Sequence, residues 1–248
     1  MLEIDSEHRL VLSSSPYEVN SNIQLFAAVV SKSFSLEPIV GDCKFEKVDD
    51  ESYINRWGLD NLGANYFASN ILPNIERHQK NIIASIFLKE EEDLLGIAEL
   101  LPFSRVIGIE LNISCPNKEG FDSVLSAVNY SKNIFPENTK IGVKVGPFIP
   151  TDVLRDLKVD FVSYSNTLPG FVEGFGTGGL SGKVLKDIVV GRISEIKEAV
   201  GGSTLIVGGG VSSYADYRQF LDYGADYVSI ASSYLENNNV VFDILAGI

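Results

Sequence analysis

At 248 residues and 45% apolar content the chain can bury a large core, and no apolar run reaches membrane-spanning length. Its net charge of −13, from 33 acidic against 20 basic residues, argues against a nucleic-acid or anionic-membrane surface. With 2 cysteines and 2 histidines it offers no disulfide framework, no zinc-ligand spacing and no histidine-rich metal site, and the expected setting is the reducing cytoplasm.

The N-terminus, MLEIDSEHRLVL, is too polar for a signal peptide. Apolar, β-rich runs then recur at 9–12, 25–30, 81–87, 106–111, 140–145, 161–164, 204–207 and 227–230. From the third onward, helical spacing fills the gaps, over 90–101, 121–133, 151–157, 191–200 and 213–223. Ser212-Ser213 and Thr151-Asp152 stand in capping positions. Near-continuous apolar strands alternating with helices indicate a parallel sheet covered on both faces. Eight such units in about 250 residues predict a closed (β/α)8 TIM barrel, read as one domain over 1–248. A doubly wound open sheet is the runner-up, since the first βα turn lacks a dinucleotide glycine fingerprint. Residues 33–73 are too long for a βα connection and predict an excursion over the C-terminal mouth of the barrel, with a strand-like piece at 44–48.

In a barrel the chemistry lies where the strands end. Those ends carry Ser13, Ser14 and Ser15, then Ser31, Lys32 and Ser33, then Asn112, Ser114, Cys115 and Asn117. Lys144 follows within GVKVG, then Ser165-Asn166-Thr167, Gly208-Gly209-Gly210 and Ala231-Ser232-Ser233. Two lysines among many amides suit an anionic ligand rich in hydrogen-bonding groups. A lysine near a strand end is commonly just solvated. Lys144, though, lies between Val143 and Val145, so alternation turns it to the opposite side from them, into the barrel, where it needs an anion or an electron-rich partner. Cys115 could be a small core residue, but it stands past a strand end beside Pro116, where a loop is the better reading. Gly208–Gly210 could be only a tight turn. Their position after the seventh strand, however, is the usual phosphate site of these barrels, and Gly179-Leu180-Ser181-Gly182 could supply a further wall.

These residues resemble the dihydroorotate dehydrogenase family. The specific match is Asn112-Ile113-Ser114-Cys115-Pro116-Asn117. It is supported in order and spacing by Ser31-Lys32-Ser33, by NRWGLDNLG from Asn55 to Gly63, by Gly142-Val143-Lys144, by Ser165-Asn166-Thr167, by the Gly179 to Gly182 run and by Val207 to Val211. The resemblance implies an FMN-dependent enzyme of pyrimidine synthesis that oxidises dihydroorotate. It implies that Asn55, Asn112, Asn117, Asn166 and Thr167 hold the substrate, with the backbone at Trp57, Gly58 and Leu59. Lys32 would lie near both flavin and substrate and would be catalytic together with Cys115. Lys144 would face the pyrimidine end of the flavin, and Ser13, Ser14, Ser33, Asn112, Gly182, Gly209, Gly210, Ala231 and Ser232 would hold the rest of FMN. Cys115 matches the catalytic base of the soluble class, taking the C5 proton while flavin N5 takes the C6 hydride. No amphipathic extension precedes Val11, in keeping with that class.

Trp57, Asp60 and the Ser13-Ser14-Ser15 run depart from the family pattern. Alternatives are an FMN barrel acting on another dihydropyrimidine and a non-catalytic barrel that binds a phosphate ligand. The electron acceptor is open between fumarate, a quinone, and NAD through an iron–sulfur flavoprotein subunit. Any such cluster would belong to that partner, and the assembly is expected to be a homodimer or a hetero-oligomer, with neither nucleic acid nor membrane as partner.

Overall fold

The computed structural model describes residues 1–14, 19–90, 92–113 and 124–248. Its strands, in chain order, are β1 (Leu10–Leu12), β2 (Ala28–Val30), β3 (Lys44–Lys47), β4 (Ser52–Arg56), β5 (Ile82–Ile86), β6 (Gly108–Asn112), β7 (Ile141–Val145), β8 (Phe161–Tyr164), β9 (Leu168–Val172), β10 (Gly176–Gly182), β11 (Thr204–Gly208) and β12 (Tyr227–Ile230). Eight of them pair in parallel in the order β1-β12-β11-β8-β7-β6-β5-β2. The ring closes because β1 pairs with both β12 and β2. The predicted (β/α)8 TIM barrel is therefore present, its strands displaced by no more than a few residues from the apolar runs. None of the helices among the described residues is long and apolar enough to cross a membrane.

Two-sided burial explains why the strands read as almost continuous apolar runs. On the outer face, Ile109, Leu111, Val143, Val145, Leu205 and Val207 pack under helices Asp93–Leu100, Val124–Ile134, Ile193–Val200 and Tyr214–Asp222. On the inner face, Leu2, Val11, Ala28, Val30, Ile83, Phe161 and Ile206 pack together as a floor. Each such fully buried side chain stabilises the fold by about 1.5–3 kcal/mol relative to exposure. The Phe161 ring fills the floor so tightly that a Cβ on Gly142 would lie 2.4 Å from it. The N-terminal segment seals the floor from below, with Leu2 N donating to Thr204 Oγ1 at 3.1 Å and the Thr204 hydroxyl donating back to Leu2 O at 3.1 Å.

Ser213 caps its helix as expected, its hydroxyl accepting from Asp216 N at 3.2 Å. Thr151 does not cap: it is already helical, and Pro150 occupies the N-cap position without a side-chain bond.

The excursion is shorter than 33–73. Its last part, Gly63–Glu76, is helical and belongs to the barrel's outer layer, because Ala64, Phe67, Leu72 and Ile75 recur at helical spacing and are buried in the main core. Its middle forms β3 and β4. These join β10 and β9 in an antiparallel sheet of order β3-β4-β10-β9, whose second half the sequence reading missed. Residues 168–182 are rich in glycine and lack strand-forming character. The glycines are needed because β10 lies against crowded neighbours: a Cβ on Gly178 would sit 2.7 Å from Asn55 O, and one on Gly179 2.3 Å from Thr167 Oγ1.

Candidate active site

Along each barrel strand the inward positions change from apolar at the floor to polar at the C-terminal end. Ile83 is followed by Ser85, Gly142 by Lys144, Phe161 by Ser163 and Ile206 by Gly208. The small antiparallel sheet covers this polar end and leaves an open cleft. Phe45, Tyr53, Trp57 and Asn55 line it from the sheet, while Ser14, Lys32, Ser33, Asn112, Lys144, Gly209, Gly210, Ala231 and Ser232 line it from the barrel.

Most predicted site residues converge here. Ser13, Gly58, Leu59, Asn166, Thr167 and Gly182 also line the cleft. Cys115 and Asn117, with Ser114 and Ser15, lie outside the described residues. Gly58 and Leu59 form a left-handed turn at the end of β4, with φ of +58° and +62°. Asn55 donates to Gly179 O at 3.1 Å, which ties β4 to β10 beside the cleft.

Lys144 is 7% exposed, and among the described residues its ammonium has neither an ion pair nor a hydrogen bond. A buried cation without a counter-ion is costly unless a ligand supplies one. Beside it on β6, in register, stands Asn112, whose Oδ1 is buried without a hydrogen-bond partner among the described residues. The Ser163 hydroxyl, in register with Lys144 on β8, is likewise unpaired. Lys32 differs: it reaches Asp60 Oδ2 at 3.3 Å and lies 5.9 Å from the centre of the Trp57 ring. Asp60 is held below the usual carboxylate range by the Gly41 N–H first, with further help from Cys43 and Lys32.

The glycine run after β11 is a cradle of bare backbone. Gly209 and Gly210 have φ of +122° and +79°, and Gly182, across from them, has +82°. A Cβ on Gly210 would come within 2.8 Å of Gly182 O. Helix Ser232–Glu236 begins at the same place, and the Ser232 hydroxyl donates to Ser181 Oγ at 2.7 Å. Behind the cradle, Asp216 accepts from Lys186, from Ser212 N at 3.0 Å and from Ser212 Oγ at 3.2 Å. Burial by itself would raise the Asp216 carboxyl, but these donors outweigh it and hold the group below its ordinary value.

Several site features escaped the sequence reading. Phe45 and Tyr53 stack 5.4 Å apart, with Trp57 on the far side of Phe45, as an aromatic wall. Glu51 accepts from Lys183 Nζ at 2.8 Å and shares the one Ser212 hydroxyl hydrogen with Asp216, its Oε1 lying 3.0 Å from Ser212 Oγ, which places a carboxylate at the edge of the glycine cradle. Glu110 lies 1% exposed inside the barrel. A signal for it existed: in β6 it alternates with Ile109 and Leu111, so it must turn inward.

Comparison with known proteins agrees with this geometry. A family model described as dihydroorotate dehydrogenase matches residues 15–248. The catalytic subunit of dihydroorotate dehydrogenase B (NAD(+)) from Thermotoga maritima is 31% identical, over 95% of this chain and 94% of its own. The subunit of the same name from Thermodesulfovibrio yellowstonii is 27% identical, over 92% of this chain and 82% of its own. A crystal structure of DHODH from Eimeria tenella in complex with ferulenol superposes with a TM-score of 0.80, covering 95% of this chain and 79% of that one. At 17% identity this likeness concerns the fold. With the family model spanning residues 15–248 and a 31% identical relative aligned over nearly its whole length, the chain belongs to the dihydroorotate dehydrogenase family of oxidoreductases.

Proposed function

We propose that the chain, acting as one domain, oxidises dihydroorotate to orotate with non-covalently bound FMN, and that Cys115 is the base. The observation that carries the reading is Lys144, a buried lysine that lines the cleft and forms no ion pair among the described residues. The residues present fit FMN. The left-handed glycines 182, 209 and 210 leave the backbone bare for a phosphate, and the small residues Ala231 and Ser232 open a helix beside them. Ser13, Ser14, Ser33 and Asn112 would contact the flavin, and Lys144 would offer positive charge to its ring. Bound there, FMN would accept the C6 hydride at N5.

The remaining chemistry belongs to the chain. Dihydroorotate also loses a proton from C5, and the Cys115 thiolate takes it. A free thiol near pKa 8.5 is a few per cent ionised at neutral pH, and a nearby cation raises that fraction. Asn55, Asn112, Asn117, Asn166 and Thr167, with Lys32 and the backbone of Trp57 to Leu59, fix the ring and its carboxylate. Neutral amides suit this task because they match donors and acceptors without competing for the proton. The aromatic wall of Phe45, Tyr53 and Trp57 lines the cleft from the sheet side.

The relatives are named as catalytic subunits of an NAD(+) enzyme, and two cysteines cannot ligate an iron–sulfur cluster of their own. Electrons are therefore assigned to a partner flavoprotein subunit that passes them to NAD, in a cytoplasmic hetero-oligomer. Anaerobic titration with dihydroorotate tests the core of the reading. Flavin absorbance should bleach as orotate forms in equal amount. A purified, flavin-loaded protein that stays yellow under excess dihydroorotate contradicts it.

A further inference from the structure

A chain of hydroxyl groups crosses the interior of the barrel beneath the cleft. Ser85 Oγ donates to Glu110 Oε1 at 2.7 Å. Ser33 Oγ lies 2.8 Å from Ser85 Oγ, and Asn112 Nδ2 donates to Ser33 Oγ at 2.9 Å. Ser14 Oγ lies 3.3 Å from Ser33 Oγ at the cleft end. Ser85, Glu110, Ser33 and Asn112 are all buried, with exposures of 0%, 1%, 6% and 6%.

The direction of every bond in this chain follows from its buried end. Glu110 Oε1 is the acceptor at that end, and a serine hydroxyl has one hydrogen to give. Ser85 therefore donates its hydrogen to Glu110 and must accept from Ser33. Ser33, its hydrogen committed to Ser85, must accept from both Asn112 and Ser14. The Asn112 amide is then forced to turn its NH2 to Ser33. The opposite orientation would set Oδ1 against a serine oxygen with no hydrogen left, a buried mismatch of two acceptors. What remains unpaired is Oδ1, a buried atom of a residue that lines the cleft, with no partner among the described residues.

We infer that Glu110 is a positioning residue: through Ser85 and Ser33 it fixes the Asn112 amide so that the site presents a buried acceptor, and thereby selects a ring that carries an N–H donor at that point. The inference rests on the cleft being the substrate site. Glu110 touches no ligand and acts only by setting hydrogen-bond polarity. The logic also explains why a carboxylate is kept at the bottom of a serine chain, where a neutral hydroxyl could run the chain in either direction.

The test uses Glu110→Leu and Ser85→Ala, with Ser31→Ala as control. Ser31 Oγ accepts from Ser85 N at 3.0 Å, so the control loses a buried hydrogen bond in the same wall without touching the hydroxyl chain. The first readout needs no ligand: the side-chain NH2 resonances of Asn112 in asparagine-labelled protein, assigned by their loss in Asn112→Asp. They should shift in Glu110→Leu and Ser85→Ala and stay in place in Ser31→Ala. The second is the dissociation constant of orotate against its two N-methyl derivatives, measured by calorimetry on the flavin-loaded protein. The wild type should prefer orotate over the derivative methylated at the donor facing Asn112. That preference should fall about tenfold in both relay variants, the worth of one hydrogen bond at the upper end, and hold in the control. Unmoved resonances and an unmoved preference in a folded Ser85→Ala or Glu110→Leu protein overturn the inference. Shifted resonances in a protein that binds no orotate uphold the relay and sink the substrate reading instead.

Discussion

Gly210→Ala tests the cradle by a contrast built into the molecule. Gly210 and Gly174 have nearly the same left-handed backbone, with φ of +79° and +85°. At Gly174 nothing lies within 4 Å of an added Cβ, whereas at Gly210 the Cβ would meet Gly182 O at 2.8 Å and Lys186 Cβ at 2.8 Å. Gly174→Ala should therefore cost only the left-handed conformation, about 1–2 kcal/mol. Gly210→Ala adds a clash with backbone that cannot rotate away, typically another 1–3 kcal/mol. A difference of about 2 kcal/mol corresponds to roughly 4–8 °C in Tm for a chain of this size. Thermal unfolding of the two variants measures that difference. Flavin content, read by absorbance after gel filtration, reports the second consequence: Gly210→Ala should lose FMN, because Gly182 and Gly210 can no longer approach each other around a phosphate, and Gly174→Ala should keep it. Equal Tm values together with equal flavin content would refute the assignment of this close approach to the cofactor cradle.

Lys144→Ala should slow flavin reduction by dihydroorotate far more than it weakens FMN binding, since charge on the ring develops during turnover; an unchanged reductive half-reaction in stopped flow rejects the role. Asp216→Asn should lower stability by about 1–3 kcal/mol at neutral pH, as one acceptor shared by Lys186 and Ser212 is weakened. Because the folded-state carboxyl of Asp216 is held below its ordinary value, its contribution is full above the unfolded-state value near 4 and is lost as pH falls through the folded-state value. The gap between wild type and Asp216→Asn in chemical denaturation should accordingly narrow in acid, and a gap that widens there contradicts the assignment.

The barrel was legible because its strands are buried on both faces and its helices on one, so two different periodicities alternate along the chain. Lys144 was legible for the same reason: flanking valines commit it to the interior. The β9–β10 hairpin was not, since its glycines serve contacts with Asn55 and Thr167 that exist only once β4 is in place. The helix Lys183–Val190 followed a stretch read as loop and was lost with it. Residues 63–73 were assigned to the excursion because Pro38, Gly41, Gly58 and Gly63 read as loop punctuation over the whole of 33–73. Pro73 in fact lies inside the continuous helical run Gly63–Glu76, directly after a wide turn in which Leu72 N–H reaches back to Phe67 O. At the site, the strand-end amides and glycines could be read from position alone. Glu110 was passed over as one charge in an apolar run, although alternation already turned it inward. The Lys32–Asp60 pair could not be read at all, because it depends on how a loop from the excursion folds back over β2.

The most direct test of the account is single-turnover reduction of the bound flavin by dihydroorotate, followed by anaerobic stopped flow across pH in the wild type and in Cys115→Ala. With Cys115 as the base, the wild-type rate should rise with pH and level off above the thiol's pKa in the complex. Cys115→Ala should be slower at neutral pH by something on the order of 10²–10⁴-fold, while binding orotate almost as well. Cys43→Ser, altered at an exposed position in the excursion, should behave as the wild type. A Cys115→Ala protein that reduces its flavin at the wild-type rate would contradict the proposed mechanism.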